Sequence, residues 1–152
     1  MMDTLLQAIQ AKIAETVTAI KYVDENWGQL DLYGNEIPVQ WPCALISLSS
    51  AVFSNLATDF RAVPVNRQEG TATVEVTFAK LKLSNSSYKA PAAQKAKAWE
   101  IWDIVNDAHK VLHGWNPVSG TGKLIRTGIS QVRRDDGVQE IRVVYTIGLH
   151  NC

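Results

Sequence analysis

Val138-Gln139-Glu140-Ile141-Arg142-Val143-Val144-Tyr145-Thr146-Ile147-Gly148-Leu149 is the stretch whose reading decides the fold. Ile141, Val143, Tyr145, Ile147 and Leu149 alternate with Glu140, Arg142, Val144 and Thr146, the period of a strand with one buried face. Arg133-Arg134-Asp135-Asp136-Gly137 precedes it and ends in Asp-Gly, which suits a hairpin turn. The segment Leu124 to Val132 is therefore its antiparallel partner. Further upstream, Ala72, Val74, Val76 and Phe78 alternate with Thr71, Thr73, Glu75 and Thr77 in a second clear strand. Beyond Ala79 the apolar residues shift to Leu81 and Leu83, a parity change that predicts a bulge or a strand leaving the sheet. Cys43 to Leu48, led by Pro42, reads as an inner strand.

Two helices accompany these strands. Leu5, Leu6, Ile9, Ile13, Val17 and Ile20 recur at spacings of three and four, predicting a helix from about Thr4 to Ile20, with Thr4 and Gln7 as a capping box. Pro91 opens a second helix that runs to about Leu112 and ends at Gly114. Ala98, Ile101, Ile104, Val105, Ala108 and Leu112 share one side of it, opposite Glu100, Asp103, Asp107 and Lys110. Between Lys21 and Pro42 the pattern weakens to a loose strand at Tyr22-Val23 and a long loop broken by Gly28, Gly34, Asn35 and Pro38. Ser49 to Gly70 has no sustained period and reads as an extended excursion from the sheet, a kind of segment that often carries function. The order predicts an α+β fold: a mainly antiparallel sheet of about four to five strands with two amphipathic helices packed on one face.

At 152 residues the chain suits one domain, residues 1–152. Lys+Arg and Asp+Glu are both 15, so there is no net field to draw in nucleic acid or an acidic membrane surface. Arg133-Arg134 is offset at once by Asp135-Asp136, which predicts a solvated turn and no direct readout of nucleic acid. No run approaches the roughly 20 apolar residues of a membrane span. The Met1-Met2-Asp3-Thr4 start lacks the basic region of a signal peptide. Cys43 and Cys152 form no paired framework, so neither a disulfide nor an oxidising compartment is expected.

The residues that could carry chemistry each have a plainer reading. Gly120-Thr121-Gly122-Lys123 partly matches a phosphate loop, but Pro117 stands where glycine is required and Leu124 where Ser or Thr would hold magnesium, leaving a flexible turn. His109 and His113 are four apart, without the glutamate of a metalloprotease helix; a partly buried histidine favoured in its charged form by the helix dipole fits better. Cys43 has no basic neighbour and reads as a buried structural thiol. Asp24-Glu25 and Asp135-Asp136 are adjacent pairs that point to opposite faces and are expected to be solvated. No cofactor is implied.

The tryptophans are more informative. Trp102 borders the buried stripe of the second helix, whereas Trp99 projects from its charged side. Either another chain covers Trp99 or the excursion Ser49 to Gly70 folds back over it. Trp27 and Trp41 lie in loop-like sequence and Trp115 closes the helix, so each is a candidate assembly anchor.

Taken together, the opening helix with Leu5-Leu6, Pro42-Cys43-Ala44-Leu45-Ile46, Thr73-Val74-Glu75-Val76-Thr77-Phe78, Val111-Leu112-His113-Gly114-Trp115 and Gln139-Glu140-Ile141-Arg142-Val143-Val144-Tyr145 resemble the phage tail terminator or tail-completion family. The resemblance covers most of the chain and leaves out Tyr22 to Gln40. It implies a non-enzymatic virion protein that assembles with itself in a ring, most simply a hexamer, at the end of the tail tube. Such a ring stops tube growth and joins the head side, so the implied partners are the tail tube protein and the head-tail connector protein. The implied place is the virion tail, after assembly in the host cytoplasm. Trp99, Trp27, Trp41, Arg133, Arg134, Asp135 and Asp136 are then the candidate contact residues. A head-completion or neck protein would share this order. A ligand-binding or enzymatic domain would need loops that gather His113, Cys43 or the carboxylates into one pocket.

Overall fold

A computed structural model describes residues 1–32 and 37–152. Helix α1 (Met2–Thr16) leads to strand β1 (Tyr22–Glu25) and a single 3-10 turn (Gln29–Asp31). Strands β2 (Cys43–Thr58) and β3 (Asn66–Leu81), helix α2 (Ala92–Leu112), and strands β4 (Ile125–Val132) and β5 (Val138–Leu149) follow. The sheet order is β1-β2-β3-β5-β4, with β1 parallel to β2 and every other pair antiparallel. This is the α+β arrangement read from the sequence. Of the expected long loop, Gly34 and Asn35 lie outside the described residues.

Both helices cover one face of the sheet. Leu5, Ile9 and Ile13 of α1 and Ile101, Ile104, Val105, Ala108 and Leu112 of α2 pack against Ile46, Val74, Val76, Phe78 and the alternating residues of β5. Trp102 and Trp115 are partly buried against the same core. Lys12 lies over the Trp115 ring at 5.0 Å, a cation–π contact that ties α1 to the end of α2. The Thr4–Gln7 capping box does not form. The helix begins two residues earlier, at Met2, whose side chain joins the core, and no side chain caps it. Nor does α1 reach Ile20. Thr16, Val17 and Thr18 are β-branched and poor helix formers, and the chain turns there while still burying Val17 and Ile20.

Among the described residues, the opposite face is covered only at one end. Cys43, Leu45, Ala79 and Val138 meet Leu30 and Ile37 there, with Tyr22, Val39, Trp41 and Leu81 around them. This second layer explains the parity change after Ala79. The β3–β5 register runs unbroken from Gly70↔Leu149 to Leu81↔Val138, so no bulge exists in that pair. Ala79 and Leu81 face this covered side, so the residue pattern changes without a bulge; the strand then leaves the sheet after Leu81, and Leu83 beyond it is exposed.

The turn between β4 and β5 supplies the polar clamp of this layer. The Arg134 side chain is only 13% exposed. It donates to Asp136 Oδ1 at 3.0 Å, to Glu140 Oε1 at 2.9 Å and to the backbone carbonyl of Leu30. The carboxylates of Asp136 and Glu140 are 4% and 1% exposed. The expectation of a solvated turn therefore fails for Arg134 and Asp136, which are held inside, and holds for Arg133 and Asp135, which are exposed. Hydrogen bonding from Arg134, opposed by burial, keeps the Asp136 carboxyl below its ordinary value of 3.8.

Arg134→Met would leave the buried Asp136 carboxylate without its cation and Glu140 with Arg142 alone. It is expected to lower the unfolding free energy by about 3 kcal/mol at neutral pH, read from urea denaturation. The depressed Asp136 carboxyl contributes its stability fully above pH 3.8 and loses it as the pH falls through the lower folded-state value. The gap between wild type and variant is therefore expected to narrow below that pH.

Candidate assembly surfaces

Ser49 to Gly70 is no excursion off the sheet. Strands β2 and β3 continue through it as an antiparallel arm, with Ser54↔Glu69, Asn55↔Gln68, Ala57↔Arg67 and Thr58↔Asn66 paired beyond the last β5 partner at Gly70. The sequence period is lost there because no described residue covers either face of the arm with apolar packing, and two register shifts, at Leu48/Ser50 and Asn55/Ala57, break the alternation. Val52, Phe53, Leu56, Phe60 and Val63 are exposed along it. Gly70 has a specific role: a Cβ at this position would lie 2.7 Å from Phe53 Cδ1, so glycine lets the ring lie across the ribbon.

The arm is built to hold its shape. Asp59 N–H donates to the Val65 carbonyl at 2.8 Å, Ala62 N–H to the Asp59 carbonyl at 3.0 Å, and Arg61 N–H to Asp59 Oδ1 at 2.9 Å, closing the tip. That closed turn presents Phe60, 87% exposed, and Val63, 95% exposed, on either side of Arg61. At the base, Gln68 and Cys152 exchange two backbone hydrogen bonds of 2.9 Å, so the C-terminal residues pair with β3.

A crevice of about 470 Å³ opens between α1 and the β1 side of the sheet, lined by Asp3, Leu6, Gln7, Gln10, Asp24, Glu25 and Ile46. Leu6 and Ile46 form its apolar part, with the carboxylates of Asp3 and Glu25 at its rim; the Asp24 side chain lies on the opposite face of β1, with Tyr22 and Leu45. Asp24 accepts hydrogen bonds from Tyr22 Oη at 2.7 Å, Gln29 Nε2 at 3.2 Å and Trp27 Nε1 at 3.3 Å. The Tyr22 bond above all, opposed by partial burial, holds the Asp24 carboxyl below its ordinary range. It is ionised at neutral pH.

The seven residues singled out in the sequence separate into two groups. Trp41, Arg134 and Asp136 belong to the second layer of the fold. Trp27, Trp99, Arg133 and Asp135 are exposed. Trp27 donates its Nε1–H to Asp24 at 3.3 Å, on the face of β1 turned away from the crevice. Trp99 is 52% exposed, so the arm does not fold back to bury it.

The other candidates gather into no common site. Cys43 is buried, and burial pushes its thiol up to about 12. The His109 and His113 rings lie 4.8 Å apart, and His113 Nδ1 accepts the Arg126 N–H. Burial, then Arg126 and His113, lower the His109 value, so its charged form is disfavoured, against the expectation from the helix dipole. The Gly120 to Lys123 turn is pinned, with Asn116 Nδ2 donating to the Thr121 carbonyl at 2.6 Å and Gly122 N–H to the Gly148 carbonyl at 2.8 Å. Among the described residues no group of three or more His, Cys, Asp or Glu side chains could hold a metal ion, and no helix is long and apolar enough to cross a membrane.

No protein-family model matches the chain, and no curated protein matches it. Among solved structures it is similar to a chain described as "Virion of native gene transfer agent (GTA) particle", with a TM-score of 0.46 and 13% identity over 95% of this chain and 90% of that one.

Sequence reasoning missed the arm as a strand pair and missed the crevice entirely. The arm left one usable signal: Asp59 and Pro64 are turn residues flanked by two segments of similar length that carry β-branched and aromatic residues. The crevice left none, because α1 and β1 meet only in three dimensions. Thiol accessibility checks the burial on which these assignments rest. Cys43 is expected to stay unlabelled by a maleimide in the native protein at pH 8 and to react once the chain is unfolded, whereas Cys152 is expected to react first.

Proposed function

We propose that this chain is a single-domain structural protein of a phage or phage-derived tail. It forms a ring, most simply a hexamer, on the end of the tail tube, stops tube growth and offers the surface that joins the head-side connector. The observation that carries the reading is the projecting arm, whose apolar residues have no partner within the described chain. A surface of that kind on a soluble protein is suited to contact with another protein. The sequence resemblance to tail terminators points the same way and supplies the partners: a second copy, the tail tube protein and the head-tail connector protein. The function asks for positioning and contact area, with no catalytic residue or cofactor, and places the protein in the virion tail after assembly in the host cytoplasm.

Polymerisation of the tail tube protein from the same genetic element, followed by electron microscopy, tests this reading. Added well below one copy per tube subunit, the protein is expected to shorten the tubes and leave added density at one end. Tubes of unchanged length with bare ends would overturn the reading. Binding to the head connector alone would move the protein to a head-completion role.

A further inference from the structure

Resting on that assembly reading, the geometry points to the specific contact between neighbouring copies: the arm tip of one copy, Phe60-Arg61 with Val63, seats in the crevice between α1 and β1 of the next. Three observations meet in this assignment.

The first is chemical fit. The tip offers an exposed aromatic ring, an exposed aliphatic side chain and a guanidinium between them. The crevice offers the apolar Leu6 and Ile46 beside the carboxylates of Asp3 and Glu25, with no lysine or arginine in its lining. Asp3 pairs with the terminal amine at 3.0 Å. Neither Glu25 nor Arg61 forms an ion pair among the described residues. An arginine entering the crevice would find the Glu25 carboxylate at its rim, and planar guanidinium groups suit such sites.

The second is preorganisation. Three hydrogen bonds close the tip, and the crevice walls are helix α1 and strand β1, so the backbone of neither side must be ordered when they meet. Contacts between preformed surfaces keep more of their interaction energy as affinity. Aromatic and arginine residues seated in pockets are the kind of anchor on which interfaces depend most.

The third is reach. Ile46 lines the crevice and sits on β2, the strand that carries the tip. From Ile46 to Thr58 the strand runs extended against β3, from the pair Ile46↔Val76 to the pair Thr58↔Asn66. At about 3.3 Å per residue this separates the tip from its own crevice by roughly 35–40 Å. A chain therefore cannot fill its own site. The contact uses two different patches on one molecule, and a head-to-tail contact of this kind closes into a ring when the rotation per copy permits.

A charge exchange tests the contact, with mass followed by light scattering as a function of concentration. Arg61→Glu and Glu25→Arg alter exposed residues and are checked for native folding by circular dichroism. Each alone is expected to weaken self-association at least about ten-fold. The double variant, which restores opposite charges across the contact, is expected to recover most of that loss. Phe60→Ala should weaken association without rescue by Glu25→Arg. Single variants that assemble like wild type would overturn the contact, as would a double variant no better than the weaker single. A wild-type chain that stays monomeric up to about 1 mM would also overturn it. The tube-capping assay reads the broader role separately: shortened tubes with unaffected single variants would remove this contact and leave the role in place. Charge rescue with unaltered tubes would do the reverse.

Discussion

Burial along strands β2 and β3 falls in steps, and the rest of the molecule is arranged around that gradient. At Cys43 and Ala79 both faces of the sheet are covered; at Val74 and Val76 the helix face alone is fully covered by described residues; from Ser54 outward the two strands meet only Asn151 and Cys152 among the described residues. A strand in solvent gains little from the hydrophobic effect, so the arm depends on the buried half of the same two strands to hold it in register. Helices α1 and α2, the β1 segment and the 3-10 turn all gather at the buried end, and the surfaces suited to contact lie where the cover stops.

The second layer shows how a neutral chain uses its charges. Its apolar residues are few, and the layer is completed by Arg134 with Asp136, Glu140 and the Leu30 carbonyl. Buried ion pairs add little net stability over apolar packing, but they tolerate only one arrangement of their partners. Here that arrangement joins the β4–β5 turn, the middle of the sheet and a segment more than a hundred residues away in sequence. Glu140 also accepts from Arg142 Nε at 2.8 Å, carrying the network out to the surface.

Most of the fold could be read from the sequence because most of its strands have one buried face. The β5 alternation and the α2 stripe survive unchanged in the structure, and the Asp-Gly turn falls between β4 and β5 with Gly137 at a positive φ of 78°. Reading failed where burial departs from that simple case. Leu81 looked like part of a bulge because its face is covered by a segment from elsewhere in the chain, whereas Leu83 lies past the end of the strand and is exposed. Val52, Phe53 and Leu56 looked irregular because their faces are open. Among the contact candidates, residue type identified Trp27 and Trp99 as exposed aromatics, whereas Arg134 and Asp136 were misplaced because adjacent opposite charges read as solvated until a third partner, Glu140, is brought beneath them.

The two irregularities in β2 bear on how the free protein behaves before assembly. Beyond Ile46, no described strand pairs with the outer edge of β2, and a long open edge is a template on which chains can stack into fibrils. The shifts at Leu48/Ser50 and Asn55/Ala57 interrupt the spacing of its amide and carbonyl groups and bend the ribbon. An incoming strand would meet matching groups over only a few residues at a time. The chain can thus expose a sticky, protruding limb in a crowded cell while denying its neighbours an unlimited zipper, leaving side-chain shape rather than backbone pairing to choose what the limb joins.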